Sequence, residues 1–219
     1  VLDCGTPVVL CCMAGSCMDL SPYADRAAAV IQTWYPGAEG GQVLADILAG
    51  KTAPSGKLPV TFYGGDYEIP DFTDYSLKNR TYRYVEQGVL YPFGYGLTYG
   101  RAEVISAAYD SESKKVSYEI VNHSDRAVEE TVQVYKKNRT SKWEVRNTVL
   151  CGFAKVCLAP GETRQGEIQL DEYAFTVVND QGKRVQDGSD YLLYVGTHGP
   201  DKRSEELTGT KAIALDIKF

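Results

Sequence analysis

IQTWYPGAEGGQVLADILAGKTAPSGKLPVTF, residues 31–62, is the stretch whose reading decides the fold. Ile31 opens a short apolar run that Pro36-Gly37 breaks. From Glu39 onward, Val43, Leu44, Ile47 and Leu48 recur at helical spacing. Gly50 stands where a helix C-terminus favours a left-handed residue. Pro54-Ser55-Gly56 breaks the chain again, and residues 58–62 form a second apolar run. Strand, helix and strand joined by turns is the grammar of an α/β layer.

Working outward, PVVLCCMA (residues 7–14) reads as a strand apolar on both faces, of the kind buried in parallel sheets. Ser21-Pro22 predicts a helix start with Ser21 as N-cap, and residues 23–29 a short helix. The N-terminal part is therefore β-α-β-α-β, with outer edges that need neighbours. Residues 63–101 are rich in tyrosine and interrupted by Pro and Gly, which suits a connector lying against a surface rather than a free linker. From residue 102 the pattern is all-β. Strands are expected at 104–109, 115–122, 130–135, 145–158, 163–170, 175–179, 191–196 and 209–217, the rhythm of an immunoglobulin-like sandwich. The expected organisation is 1–62, 63–101 and 102–219, with only β structure after the first unit.

The words WYPGAEGGQVLADIL (34–48), PSGKLPVTF (54–62) and YPFGYGLTY (91–99) follow one another in an order that closely resembles the C-terminal half of family 3 glycoside hydrolases, of the β-glucosidase and β-xylosidase type. GFAKVCLAPGET (152–163) and DYLLYVGTH (190–198) resemble the fibronectin-type-III-like domain of the same family. The resemblance covers essentially the whole chain. It implies a C-terminal part of an α/β sandwich domain followed by the fibronectin-III-like domain. It further implies a parent enzyme that cleaves β-glucosides or β-xylosides with retention, using two carboxyl groups and no metal or organic cofactor. In that family the nucleophilic Asp comes from an N-terminal barrel, and the proton donor lies upstream of the region matching Val1. No catalytic residue is therefore expected in this chain, and the chain alone is expected to be inactive. Its partners would be the glycoside or β-linked oligosaccharide and the missing barrel. A different class of reading is a free-standing sandwich module that binds carbohydrate or protein.

Composition narrows the field. Of 219 residues, 43% are hydrophobic and 24% charged, and the net charge is −6. Neither half is basic, which argues against nucleic acid. No apolar run reaches the roughly 20 residues that span a bilayer, so a membrane role is not expected. Residues 8–14 lack the basic segment of a signal peptide, and Val1 enters a strand-like run without an initiator Met, as at a processing or truncation boundary. Cys4, Cys11, Cys12, Cys17, Cys151 and Cys157 show no zinc spacing and read as reduced thiols in a cytoplasmic setting. Cys151 and Cys157, an even number of positions apart, would share a face of one regular strand, about 20 Å apart and too far to bridge. The glycosylation sequons at Asn79, Asn122 and Asn138 are taken as chance. Gly15-Ser16 lacks the second glycine of a nucleophile elbow, and Gly37, Gly40 and Gly41 precede no Lys-Ser/Thr of a phosphate loop.

Few candidate site residues remain. Glu39 opens a helix, where free backbone N–H groups and the helix dipole suit a carboxylate; beside that structural reading stands a place on the substrate-facing rim, since ligands of such sheets bind near the carboxyl ends of strands, and, last, a catalytic acid. Arg80 and Arg83, interleaved with Tyr82 and Tyr84, suit either an interdomain contact or a surface for sugar rings. Phe93, Tyr95 and Tyr99, held by Pro92, Gly94 and Gly96, are expected to pack between the two domains.

Overall fold

The computed structural model describes residues 1–219. The N-terminal part runs β1 (Val9–Cys12), α1 (Ser21–Ala24), β2 (Ala29–Gln32), α2 (Gly40–Leu48) and β3 (Phe62–Tyr63). β1 and β2 pair in parallel, from Val9 opposite Ala29 to Cys12 opposite Gln32. α2 forms where its periodicity puts it. Glu39 is its N-cap, and Gly50 takes the left-handed conformation just beyond the Ala49 C-cap.

Three expectations for this part need correction. Ser21 is not the N-cap of α1: that place belongs to Leu20, and Ser21 sits inside a helix of one turn. Asp19 explains the shift, because its Oδ1 accepts from the Ser21 backbone N–H at 2.9 Å and from its hydroxyl at 2.5 Å. β1 is not buried on both faces; Val9 is exposed and only Cys12 is buried, since a strand with one neighbour has little to cover it. β3 does not join the parallel pair. It pairs antiparallel with β4 (Val89–Tyr91), inside the stretch where no strand was expected. The residues before β3 are committed elsewhere: the Leu58 N–H donates to the Tyr95 carbonyl and the Leu58 carbonyl accepts from Gly94. A small core of Cys12, Leu20 and Phe62 joins these pieces.

After α3 (Thr81–Tyr84) and β4 come β5 (Ala102–Asp110), β6 (Lys115–Asn122), β7 (Val128–Asn138), β8 (Val149–Leu158), β9 (Thr163–Gln169), β10 (Val177–Val178), β11 (Arg184–Val185), β12 (Asp190–Gly196), α4 (Lys202–Thr208) and β13 (Ile213–Lys218). The sheets β5-β6-β9 and β13-β12-β7-β8, paired antiparallel, face each other as a sandwich, with β10 and β11 as a separate small hairpin. Alternation explains the core. Val116 and Ile120 of β6 meet Val132 and Val134 of β7 and Tyr191, Leu193 and Val195 of β12. Burying each such side chain contributes about 1.5–3 kcal/mol. Gly152 faces the same core, where a Cβ would stand 2.8 Å from Ile168 and 3.0 Å from Leu170.

The region after residue 62 is not purely β, because α3 and α4 are short helices. α4 has strong local ends: Asp201 accepts from the Ser204 N–H at 2.9 Å, and Gly209 supplies the left-handed stop. Cys151 and Cys157 do not share a face either. The register slips between Val134 and Tyr135, so that Gly152 and Leu150 pair with successive residues and Cys151 is the extra one. Cys151 packs against the core while Cys157 is exposed. No helix is long and apolar enough to cross a membrane.

Candidate functional site

The carboxyl ends of β1 and β2 form an open rim. Thr33 extends the pairing by donating to Cys12, and the Gln32 side chain donates to the Ala14 carbonyl at 2.8 Å. Trp34 adopts a positive φ of 54°, turning the chain so that its ring packs edge-on against Phe62 and Tyr35 swings out to 80% exposure. Tyr35 lies across Gly15, where a Cβ would come within 2.5 Å of the ring. Glu39 stands beyond this turn, exposed, and its side chain caps no backbone N–H. Tyr35 and Glu39 are thus both exposed beyond the ends of the parallel pair.

Hydrogen bonds hold several carboxyls below their ordinary pKa. Ser21 holds Asp19 below the usual range by hydrogen bonding, Lys155 does so for Glu129, and the Ala159 N–H does so for Glu162. Asp71, Asp74 and Asp110 are lowered in the same manner by neighbouring Ser or Thr.

A second constellation joins the connector to β7. Gly94, at φ 80°, has its N–H on the Leu58 carbonyl, and its own carbonyl accepts from Gln133 at 2.9 Å. A Cβ there would meet the Tyr135 hydroxyl at 2.3 Å, so glycine is required. Gln133 also donates to Thr197 and accepts from the Tyr135 hydroxyl. Burial drives the Tyr135 phenol far above its ordinary pKa. Phe93 is half-buried, stacked on Tyr82 with ring centres 4.0 Å apart and edge-on to Tyr135 at 6.5 Å. Tyr95 is half-buried and lies parallel to Tyr91 at 5.7 Å. Tyr99 is 40% exposed; its hydroxyl donates to the Ile47 carbonyl at 2.7 Å and so ties the connector to α2. Lys57 completes the join. Its ammonium lies 2.8 Å from Glu130, with side chains 12% and 6% exposed, and donates to the Gly96 carbonyl at 2.7 Å.

The crevice beside this join has a volume of about 410 Å³ and is lined by Tyr82, Phe93, Tyr135, Asn147 and Arg203 among others. Asn147 donates to the Tyr82 and Val85 carbonyls, pinning α3 to the sandwich. Tyr82 spends one face on Phe93 and lies 5.8 Å from the Arg83 guanidinium, while Arg80 donates to the Asp71 carbonyl. The Arg/Tyr cluster is therefore divided between structural contacts and the crevice wall. Lys57, Glu130, Gln133 and Asn147 were not singled out by sequence reasoning. For Glu130 and Gln133 the polar positions of β7 were the available signal; Lys57 and Asn147 lie outside that strand and carried none.

Residues 1–99 match the family model of the glycosyl hydrolase family 3 C-terminal domain, and residues 130–199 match a fibronectin type III-like domain. Over 212 residues the chain is 36% identical to a xylan 1,4-beta-xylosidase of Xylanibacter ruminicola, covering 94% of this chain and 24% of that protein. Over 210 residues it is 31% identical to a periplasmic beta-glucosidase of Salmonella typhimurium, covering 88% and 28%. The crystal structure of a beta-glucosidase from Kluyveromyces marxianus superimposes with a TM-score of 0.83 at 28% identity, over 99% of this chain and 27% of that one. The chain spans about a quarter of the length of the curated relatives it matches.

Proposed function

This chain belongs to glycosyl hydrolase family 3, through its C-terminal and fibronectin type III-like domains, and from that membership we propose that it is the C-terminal part of a retaining β-glycosidase acting on β-glucosides or β-xylosides. The observation that carries the reading is the similarity to a xylosidase and to glucosidases along nearly the whole chain. In this reading residues 1–62 complete an α/β domain, 63–101 form the aromatic connector, and 102–219 are the sandwich. Both catalytic carboxyls reside in the rest of the protein, the nucleophile in a barrel domain. Glu39 and Tyr35 supply part of the substrate-facing rim. The chemistry needs no cofactor: a carboxylate attacks the anomeric carbon, and a carboxylic acid protonates the leaving oxygen. The six free thiols support a reducing, cytoplasmic setting.

A mechanism-based trap tests this on the full-length protein. A 2-deoxy-2-fluoro-β-glucoside or β-xyloside with a good leaving group should arrest the glycosyl-enzyme. Peptide mapping should then place the label outside residues 1–219. A label on any carboxylate within them would sink the assignment.

A further inference from the structure

A groove of about 570 Å³ opens on the sandwich between the start of β8, the loop at 143–145 and the segment at 171–178. Its wall contains a buried ion pair: Lys136 and Glu144 lie 2.9 Å apart, with side chains 7% and 4% exposed. Lys136 also donates to the Thr176 carbonyl. Glu144 uses Oε2 in the pair, while its Oε1 is buried and has no hydrogen-bond partner within the protein. The neighbouring indole N–H of Trp143 is buried and unpartnered as well. Buried polar atoms are normally satisfied, so a donor and an acceptor left open on consecutive residues lining one groove point to a ligand. Two exposed rings complete the lining, Phe153 at 65% and Tyr173 at 52% exposure.

Those groups select the ligand chemistry. A hydroxyl both accepts and donates, so neighbouring hydroxyls can take the Trp143 N–H and give a proton to Glu144 Oε1. A carboxylate could take the Trp143 N–H but has no proton to give Glu144 Oε1, and an aliphatic ligand would leave both polar atoms unmet. Phe153 offers a flat apolar face for the C–H side of a sugar ring, beside Tyr173, whose ring has the Arg184 guanidinium 4.9 Å over one face. We propose that this groove holds a pyranose unit of a glycan chain, as an accessory saccharide site on the sandwich. The proposal goes beyond the parent-enzyme reading and stands independently of it.

The chain has two tryptophans, Trp34 on the rim and Trp143 in the groove, so the indole N–H region of a nitrogen-15 correlation spectrum reports both places separately. Trp143→Phe assigns the two signals. Titration of the 1–219 chain with cellohexaose or xylohexaose should move the Trp143 signal saturably, with Kd on the order of 1 mM, and leave Trp34 in place. Phe153→Ala and Tyr173→Ala, at exposed positions, should each weaken binding about threefold to tenfold without changing the melting temperature. The proposal is overturned if neither sugar moves the Trp143 signal at about 10 mM. It is equally overturned if only Trp34 responds, or if both ring variants bind like wild type.

Discussion

Replacing Glu130 with Leu should loosen the join between the N-terminal part and the sandwich. The substitution strands the Lys57 ammonium, which is only 12% exposed, with the Gly96 carbonyl as its remaining acceptor. It also removes the Glu130 Oε1 that accepts from the Thr131 N–H at 2.7 Å. Breaking one side of a buried pair costs about 3–5 kcal/mol, and the surviving Gly96 contact favours the lower end, about 3 kcal/mol. In a protein of this size each kcal/mol moves Tm by about 2–4 °C, so the variant should melt roughly 6–12 °C below wild type. The double variant Lys57→Met/Glu130→Leu leaves no stranded charge and should recover part of the loss, melting between the single variant and wild type. Thermal and urea unfolding followed by circular dichroism measure both. The reasoning fails if Glu130→Leu melts within about 3 °C of wild type. It fails too if the double variant is no better than the single one.

Phe93→Ala should cost about 2 kcal/mol, less than the 3–5 kcal/mol of a fully buried ring because Phe93 is half-buried, and should speed proteolysis near Tyr91; equal melting and equal cleavage rates would show a loose tether. Burial pushes the Cys151 thiol up to about 12, so it should stay unmodified by iodoacetamide at mild alkaline pH while exposed Cys4, Cys17 and Cys157 react; mass spectrometry of the native protein decides, and early labelling of Cys151 would contradict the packing of β8.

Much of the architecture was legible because it rests on local pattern. The 3.6-residue spacing of Val43, Leu44, Ile47 and Leu48, stopped by Gly50, locates α2. Alternating apolar residues locate β6, and Val132, Val134 and Tyr191, Leu193, Val195 mark the core faces of β7 and β12. The misses have physical causes of two kinds. Some arise from partners distant in sequence: Leu58 gives its backbone to the connector, so the third strand never reaches the parallel pair. The register slip opposite Cys151 likewise depends on β7. Others were locally visible. Asp201 and Gly209 bracket a run of helix formers, and weighing them would have marked α4 against the all-β expectation. The candidate site was less legible than the fold. Glu39 reads correctly as a helix opener, but a lysine after Pro-Ser-Gly looks like a solvated turn residue until Glu130 is brought against it.

We propose that both catalytic carboxyls of a β-glycosidase lie outside this chain. The most direct measurement of this is release of p-nitrophenol from p-nitrophenyl β-glucoside and β-xyloside by purified 1–219, beside a Glu39→Gln variant. The account predicts no turnover above buffer for either protein. Turnover by the wild-type chain that disappears in Glu39→Gln would make Glu39 catalytic and contradict the account.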